Sequence, residues 1–196
     1  MNLPNILTLA RMPAMFVIVA LMYPHWTGAA SVAFWLFIVS AVSDWLDGYL
    51  ARRQGIVSDF GKLMDALTDK VLVIGIMVAL VERQAVPIAL VLVTLCREFM
   101  VSGLRMLAAA KGVIVPADRG GKLKTLMQLV SIGFLLGTPM VLQDWAVWWP
   151  WVHWDTFAII VNYIGLVGFA VSTLLAVWSG YRYFMQQRAL WSDYGK

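Results

Sequence analysis

Four aspartates in one short stretch of the sequence have the residue type and spacing of a metal site. Asp44 and Asp47 lie three residues apart, and Asp65 and Asp69 lie four apart. On an α-helix, each of these spacings places both residues on one face. Crowded carboxylates repel one another unless protons or cations neutralise them, and their oxygens suit the hard cations Mg²⁺ and Mn²⁺ best. The sequence therefore predicts a divalent-metal site and a phosphate-bearing substrate, because such ions keep positions open for phosphate oxygens.

Small residues beside these aspartates indicate room for a phosphate or for a flat group, and a neighbouring arginine could bind the phosphate. Gly48 and Gly61 have no side chain to block an approach to the backbone, and the side chain of Ala51 is small. Arg52 could bind phosphate oxygens bidentately, or it could anchor a helix end at a membrane surface. Asp59 does not share the helical spacing, and we interpret it as a helix cap.

The elements that position these residues are expected to be transmembrane helices. The chain of 196 residues is 61% hydrophobic and has a mean hydropathy of +0.78, which is too apolar for an ordinary soluble core. Because a span needs roughly 20 residues, we predict an all-α membrane protein with six transmembrane helices in one bundle, forming a single domain of residues 1–196. The predicted spans are residues 6–23, 29–51, 60–81, 86–110, 122–141 and 156–184.

The distribution of charge predicts the orientation of this bundle. Basic residues concentrate at the ends of the even-numbered spans, whereas Arg83 is the only one in the opposite connections. By the positive-inside rule, both termini and the aspartates face the cytosol, and the active-site cavity opens to that side. The connection of residues 53–60 permits spans two and three to be neighbours, which would bring the four carboxylates together.

Other residues with reactive or aromatic side chains are given structural interpretations. The tryptophan-rich segment 143–155 is typical of an interfacial belt rather than a ligand site. We interpret His25 and His153 on the same side as interfacial or solvated. Cys96 is the only cysteine, which excludes a disulfide framework, and we expect it to be a packing residue.

A second polar concentration is basic and predicts an anion site. Arg97 and Arg105 lie near one face of span four, and a charge so deep in a span is normally paired or functional. Glu98 is the alternative partner of Arg97. The start of the next span adds further candidates for binding a phosphate: Arg119, Lys122, Lys124 and Thr125. An acceptor that itself carries a phosphate would need such a site.

The aspartate motif resembles the signature of a known family. The strings DWLDGYLAR at 44–52 and GKLMDALTD at 61–69 are similar to the motif of the CDP-alcohol phosphotransferase family at every defining position. The resemblance implies a six-span enzyme, usually a homodimer, in which the four aspartates hold two divalent cations, Mg²⁺ or Mn²⁺, against the pyrophosphate of a CDP-linked lipid. It also implies that Asp69 is the general base. The implied nucleotide pocket is lined by Gly48, Ala51, Arg52 and Gly61, with Asn5 and Thr8 as further candidate contacts.

Two further strings resemble the branch of this family whose acceptor is glycerol 3-phosphate. They are REFMVSGLR at 97–105 and GKLKT at 121–125. Ala66 stands where many relatives have proline, a difference that affects the geometry of a helix start and not a ligand. The implied reaction is phosphatidyl transfer from CDP-diacylglycerol to sn-glycerol 3-phosphate in a bacterial-type inner membrane, giving phosphatidylglycerophosphate and CMP by in-line displacement.

Other functions share parts of this pattern. A synthase that uses inositol phosphate would need the same basic acceptor site. A membrane prenyltransferase also uses aspartates and Mg²⁺, but with a differently spaced motif and without the paired glycines. A cation transporter would place its carboxylates nearer the bilayer midplane. A capping role would explain one aspartate at each helix start, but it would not explain four aspartates that converge.

Overall fold

The computed structural model describes the backbone of residues 3–24, 26–54, 59–110 and 119–186. Within these ranges, it describes the backbone alone for residues 3–10, 44–54, 59–67, 69, 110 and 119. The described chain is helical throughout and contains no strand, so the all-α prediction is confirmed for these residues.

Six long helices follow the predicted spans closely, and the last two are separated by shorter helical segments. The helices are α1 (Leu3–Leu21), α2 (Ala29–Gln54), α3 (Asp59–Glu82), α4 (Ile88–Ala110) and α5 (Arg119–Pro139), then a π-helix (Met140–Trp145), the short α6 (Ala146–Trp148) and α7 (Asp155–Gln186). Apolar sequences of this length form helices in a membrane because a helix satisfies its own backbone hydrogen bonds.

The surface of these helices is suited to a membrane. Two stretches of the described residues, Gly120–Trp148 and Asp155–Gln186, are long and apolar enough to span one, and Arg11–Leu21 and Ala29–Ser43 are shorter apolar helices. Large apolar side chains of α7 face outward: Ile159, Tyr163, Leu174 and Trp178. Soluble monomers rarely expose so much contiguous apolar surface. The finer expectation of six spans stays a prediction.

The core lies where the six long helices meet. Its fully buried side chains include Ile18 of α1, Phe37 of α2, Ile76 of α3, Leu135 of α5 and Phe169 of α7, and α4 contributes the buried Val91. The most extensive packing joins α5 and α7, while α1 packs against both α2 and α3, and α4 packs against α7. The bundle therefore holds α2 and α3 through α1 and the common core.

The close contact of α5 and α7 depends on a glycine. A Cβ atom at Gly165 would lie 2.9 Å from Leu135 Cγ and 3.1 Å from the Leu135 backbone nitrogen. These distances are shorter than van der Waals contact, and backbone cannot move aside as a flexible side chain can. The absence of a side chain at Gly165 lets the two helix backbones approach each other.

The end of α3 is a Schellman motif. Gln84 adopts a positive φ of 57°. Its N–H donates to the carbonyl of Val81, and the N–H of Ala85 donates to the carbonyl of Leu80 at 2.9 Å. These are the two hydrogen bonds by which this motif satisfies the last carbonyls of a helix.

The start of α2 is capped by a residue that lies more than a hundred positions later in the sequence. Asp144 of the π-helix is fully buried. Its carboxylate accepts hydrogen bonds from the N–H of Gly28 and the N–H of Ser31, both at 2.6 Å, and from the Ser31 hydroxyl at 2.5 Å. These groups are otherwise unpaired donors of a helix start, where a negative charge is also favoured by the helix dipole.

The structure also tests the interpretations of the isolated reactive and aromatic residues. Cys96 is exposed on α4, so the expectation that it is a packing residue was wrong. His153 is exposed, as expected, whereas His25 lies outside the described residues. The side chains of Trp148, Trp149 and Trp151 are exposed, which agrees with an interfacial belt.

Candidate active site

The predicted metal ligands lie on the helices to which the sequence assigned them. Asp44 and Asp47 belong to the second half of α2, and Asp65 and Asp69 belong to the first half of α3. Their backbone is helical, as the spacing argument requires. Their side chains lie outside the part of the chain whose side chains are described, so the convergence of the four carboxylates stays a prediction.

The same limit applies to the predicted nucleotide pocket. Its candidates all lie in helices, on α1, α2 or the start of α3. Their side chains are outside the described set: Asn5, Thr8, Gly48, Ala51, Arg52 and Gly61. The pocket therefore stays a prediction.

A hydrogen-bonded connection joins α3 to α4 directly beside the predicted general base. Lys70, the residue after Asp69, donates from Nζ to Ser102 Oγ at 2.6 Å. Ser102 Oγ in turn donates to the backbone carbonyl of Glu98 at 2.7 Å. The middle of α3 is thus held against the half of α4 that carries the predicted anion site.

Glu98 is the centre of this anion-site region and is shared by two cations. Arg97 Nη1 donates to Glu98 Oε1 at 2.8 Å, and Lys124 Nζ of α5 donates to the same oxygen. The Lys124 side chain is 3% exposed and that of Glu98 is 20% exposed. The alternative interpretation of Glu98 as the partner of Arg97 is therefore confirmed, and Lys124 is a second partner that the sequence analysis did not foresee.

Arg97 also binds α7 on its other side. Its Nε donates to the carbonyl of Ala176 at 3.1 Å, and its Nη2 donates to Ser179 Oγ at 2.8 Å. All three guanidinium nitrogens therefore hydrogen-bond to the protein itself. This network fixes α4, α5 and α7 relative to one another.

The other anion-site candidates occupy different surroundings. Arg105 is exposed, and its Cζ lies 5.7 Å from the centre of the Tyr183 ring of α7, within the range of a cation–π interaction. Lys122 and Thr125 are exposed on α5, and Thr125 donates to the carbonyl of Gly121 at 3.0 Å. Arg119 is the first residue of α5 and its side chain is outside the described set. The structure thus brings Arg97 and Lys124 together but places Arg105 beside a different partner.

Sequence reasoning missed Lys70, Ser102 and Tyr183. Lys70 adjoins the aspartate motif, so its position next to Asp69 was an available signal. Ser102 lies between the two arginines of α4. Tyr183 has no sequence signal, because its environment depends on how α7 packs against α4.

Comparison with known proteins assigns this arrangement to a family. The family model for CDP-alcohol phosphatidyltransferases matches residues 1–156, which include both aspartate pairs and the contacts of Glu98 with Arg97 and Lys124. The chain belongs to this family. The resemblance inferred from the aspartate motif is confirmed.

Relatives with curated names are similar to the chain over most of its length. A protein of Rickettsia typhi is 34% identical over 93% of this chain and 95% of its own length. A protein of Shigella flexneri is 33% identical over 96% of both chains, and one of Bacillus subtilis is 39% identical over 69% of this chain and 76% of its own. All three are named CDP-diacylglycerol–glycerol-3-phosphate 3-phosphatidyltransferase.

The CDP-alcohol phosphatidyltransferase family is generally dependent on divalent metals. Among the side chains that the structure describes, no three potential ligands cluster as a metal site, so the four aspartates of α2 and α3 remain the candidates. Four carboxylates offer the hard oxygen donors that Mg²⁺ and Mn²⁺ require. The donor set fits the expected metal, while its identity and number stay predictions.

Proposed function

We propose that this protein transfers the phosphatidyl group of CDP-diacylglycerol to sn-glycerol 3-phosphate, giving phosphatidylglycerophosphate and CMP. The observation that carries this proposal is the near-complete match to relatives named for that reaction, at 93% of this chain and 95% of the Rickettsia protein. A match of this extent covers the acceptor region of α4 and α5 as well as the aspartate motif.

The aspartates of α2 and α3 are proposed to form the metal site. Asp44, Asp47, Asp65 and Asp69 would hold two divalent cations, and these would stabilise negative charge on the substrate diphosphate. Gly48, Ala51, Arg52 and Gly61 would line the nucleotide pocket, together with Asn5 and Thr8. The support for both assignments is the aspartate and glycine motif on two continuous helices.

The proposed transfer is a single in-line displacement. Asp69 accepts the proton of the sn-1 hydroxyl of glycerol 3-phosphate. The hydroxyl oxygen then forms a bond with the β-phosphorus that carries the diacylglycerol, and the bond between this phosphorus and the bridging oxygen breaks. CMP leaves with that oxygen, and no covalent enzyme intermediate is needed.

The charge around Glu98 supports an acceptor that is an anion. The described side chains in this region include one carboxylate and four cations: Lys70, Arg97, Arg105 and Lys124. With the neighbouring aspartates of α3 neutralised by divalent cations, these four cations would raise the local concentration of a phosphorylated acceptor. We assign the acceptor phosphate to this region, with Arg119, Lys122 and Thr125 as further candidates at the start of α5.

The cellular setting is part of the same proposal. The protein would be a single-domain integral protein of a bacterial-type inner membrane and would act as a homodimer. Its termini and active site would face the cytosol. Glycerol 3-phosphate would enter from the cytosol, while CDP-diacylglycerol would enter from the inner leaflet. The support is the bias of basic residues toward one side of the sequence-predicted spans.

An acceptor panel tests the proposal directly. Purified protein is incubated with CDP-diacylglycerol, a divalent metal and one of three acceptors, glycerol 3-phosphate, inositol phosphate or serine, and the lipid product is identified by mass spectrometry. We expect product with glycerol 3-phosphate only, and none after chelation. Asp69→Asn should abolish transfer but retain CDP-diacylglycerol binding, whereas Asp155→Asn at the start of α7 should remain active. Product with another acceptor alone, or full activity after chelation, would contradict the proposal.

A further inference from the structure

A cavity of about 130 Å³ lies at the end of the bundle opposite the aspartates. Its lining includes Ala30 and Ala33 near the beginning of α2 and Leu80 near the end of α3. The aspartates occupy the second half of α2 and the first half of α3. The cavity is therefore separate from the proposed active site, and the proposed transfer reaction does not use it.

The lining of this cavity changes from charged to apolar between the surface and the core. Arg83, directly after α3, is exposed. Gln143 of the π-helix and Asn162 of α7 are partly buried. The apolar part of the lining includes Leu135 and Leu136 of α5, which are each 1% exposed. A ligand that fits this lining has an anionic end, a polar middle and an apolar end.

The polar side chains of the lining are free to bind such a ligand. Among the described residues, Arg83, Gln143 and Asn162 have no side-chain hydrogen bond or ion pair. The carboxylate of Glu82, the neighbour of Arg83, accepts a hydrogen bond from the Tyr23 hydroxyl instead. The backbone of Arg83 is held in place, because its N–H donates to the carbonyl of Ala79 at 3.0 Å and the Schellman motif follows directly. The guanidinium therefore starts from a fixed point at the edge of the cavity.

The same sequence of groups is found in a phospholipid. A guanidinium binds phosphate oxygens bidentately, and amide N–H groups can donate to the ester carbonyls of the glycerol backbone. Buried leucines remove an acyl chain from water. The cavity also lies at headgroup level, because exposed tryptophans typical of a membrane interface follow the π-helix directly: Trp148, Trp149 and Trp151.

We propose that this cavity binds one anionic phospholipid, with its phosphate on Arg83 and part of one acyl chain against Leu80, Leu135 and Leu136. Arg83 favours an anionic lipid because it is the only basic residue in the sequence-predicted connections of this side. The cavity is smaller than the roughly 300 Å³ or more of a pocket that encloses a small-molecule ligand. Only the glycerol end and part of one chain therefore enter, and the rest of the lipid stays in the bilayer.

Lipid binding to the purified protein tests this site. The protein in detergent is titrated with phosphatidylglycerol in the presence of a chelator, and native mass spectrometry measures the fraction that carries one lipid. The chelator prevents metal-dependent binding of the lipid phosphate at the aspartates. Arg83→Gln should raise the apparent Kd about tenfold, the loss that corresponds to one hydrogen bond with a charged group. Ala85→Leu, which enlarges a partly buried lining side chain, should also raise it.

The control is Arg182→Gln, which removes an exposed arginine near the end of α7 and gives the same net charge as Arg83→Gln. Its Kd should match that of the wild type. Equal Kd values for the wild type and Arg83→Gln would overturn the proposal. Equal weakening by Arg83→Gln and Arg182→Gln would also overturn it, because it would show a general attraction of anionic lipids. An unchanged Kd for Ala85→Leu would contradict the position of the lipid in the cavity.

A second measurement separates the lipid from its parts. Phosphatidylglycerol should raise the apparent Tm of the wild type more than that of Arg83→Gln. Inorganic phosphate or diacylglycerol at the same concentration should not raise the Tm of either protein. A rise with inorganic phosphate alone would show an anion site and would overturn the assignment of a lipid. Neither measurement uses CDP-diacylglycerol or an acceptor, so the result does not depend on the proposed function.

Discussion

At the scale of single residues, the Glu98 carboxylate has to balance two buried or partly buried cations. Arg97 and Lys124 both donate to one of its oxygens, and Lys124 is only 2% exposed. Cations removed from water are costly unless a carboxylate and hydrogen bonds compensate them. Glu98 therefore permits two positive charges to lie close together at the junction of α4, α5 and α7.

We predict a strong energetic coupling between Glu98 and Lys124. Glu98→Gln removes the carboxylate charge that Arg97 and Lys124 share and should lower the free energy of unfolding by about 2 kcal/mol, somewhat below the loss typical of fully buried pairs. Lys124→Met should also destabilise the protein. The loss of unfolding free energy in the double variant should be smaller than the sum of the two single losses, by about 1 kcal/mol or more. Unfolding in mild detergent measures all three.

The control for this cycle is Lys122→Met, which removes an exposed lysine from the same helix. Its effect should stay within about 0.5 kcal/mol, and it should be additive with Glu98→Gln. Equal coupling of Lys122 and Lys124 to Glu98 would show that long-range charge, rather than the hydrogen-bonded contact, determines the stability.

Residue-level features were predictable where they depend on one helix alone. The aspartate spacings and the proximity of Glu98 to Arg97 follow from helix geometry within a single segment. The contacts of Glu98 with Lys124 and of Arg105 with Tyr183 join helices that are far apart in sequence. Periodicity indicates which face of a helix is apolar, but it does not determine how far one helix is shifted along another.

At the scale of elements, the pairing of α5 with α7 is the most extensive helix contact of the described chain. Close approach of two helix backbones in a membrane depends on small residues at the contact. Gly165 meets this requirement because its missing Cβ would lie 3.1 Å from the Leu135 backbone nitrogen. Gly133 of α5 is different, since a Cβ there would meet its nearest neighbour, the Phe37 ring, at 3.8 Å.

We predict opposite effects for two glycine-to-alanine substitutions. Gly133→Ala should stabilise the protein by about 0.5–1 kcal/mol, because alanine favours helix and the added methyl group fits. Gly165→Ala should destabilise it by about 1–3 kcal/mol, because α5 and α7 must separate. Apparent Tm values in detergent measure both. A stabilising Gly165→Ala would mean that the two helices do not approach as closely as the structure shows.

The helices themselves were largely predictable, since long apolar segments have few alternatives to a helix. The ends of the first four predicted spans differ from the ends of helices α1 to α4 by at most three residues. The π-helix after Pro139 was not predicted. It widens the helix locally and continues the helical segment through Trp148, whereas the predicted span stopped at 141. The apolar composition of this stretch gives no signal of such a widening, because a π-turn depends on tertiary contacts such as that of Asp144 with α2.

At the scale of the whole molecule, Asp144 joins two parts of the chain that are more than a hundred residues apart. It caps the start of α2 from the π-helix. The other end of α2 carries Asp44 and Asp47. Because α2 is a continuous helix of 26 residues, the cap helps to fix the position of α2 along its axis, and with it the position of the backbone at these two aspartates.

We predict that Asp144→Ala destabilises the protein by at least about 2 kcal/mol, since it leaves two buried backbone N–H groups and one hydroxyl without their acceptor. Ser31→Ala removes the hydroxyl donor alone and should cost about 1 kcal/mol or less. Asp155→Ala removes an exposed aspartate at the start of another helix and should cost less than Asp144→Ala. Unfolding in detergent measures the order of these three losses. An equal loss for Asp144→Ala and Asp155→Ala would show that the cap does not hold α2.

The exposed side chain of Cys96 allows a spectroscopic label to be attached at a single site. It is the only cysteine and borders an apolar groove between α4 and α7, formed with Met100, Val177 and Phe184. A maleimide fluorophore or a nitroxide attached to its sulfur needs no prior removal of competing thiols. The label would lie next to Arg97 in sequence. Its spectrum could therefore follow rearrangement of the contact between α4 and α7 in the otherwise unaltered polypeptide.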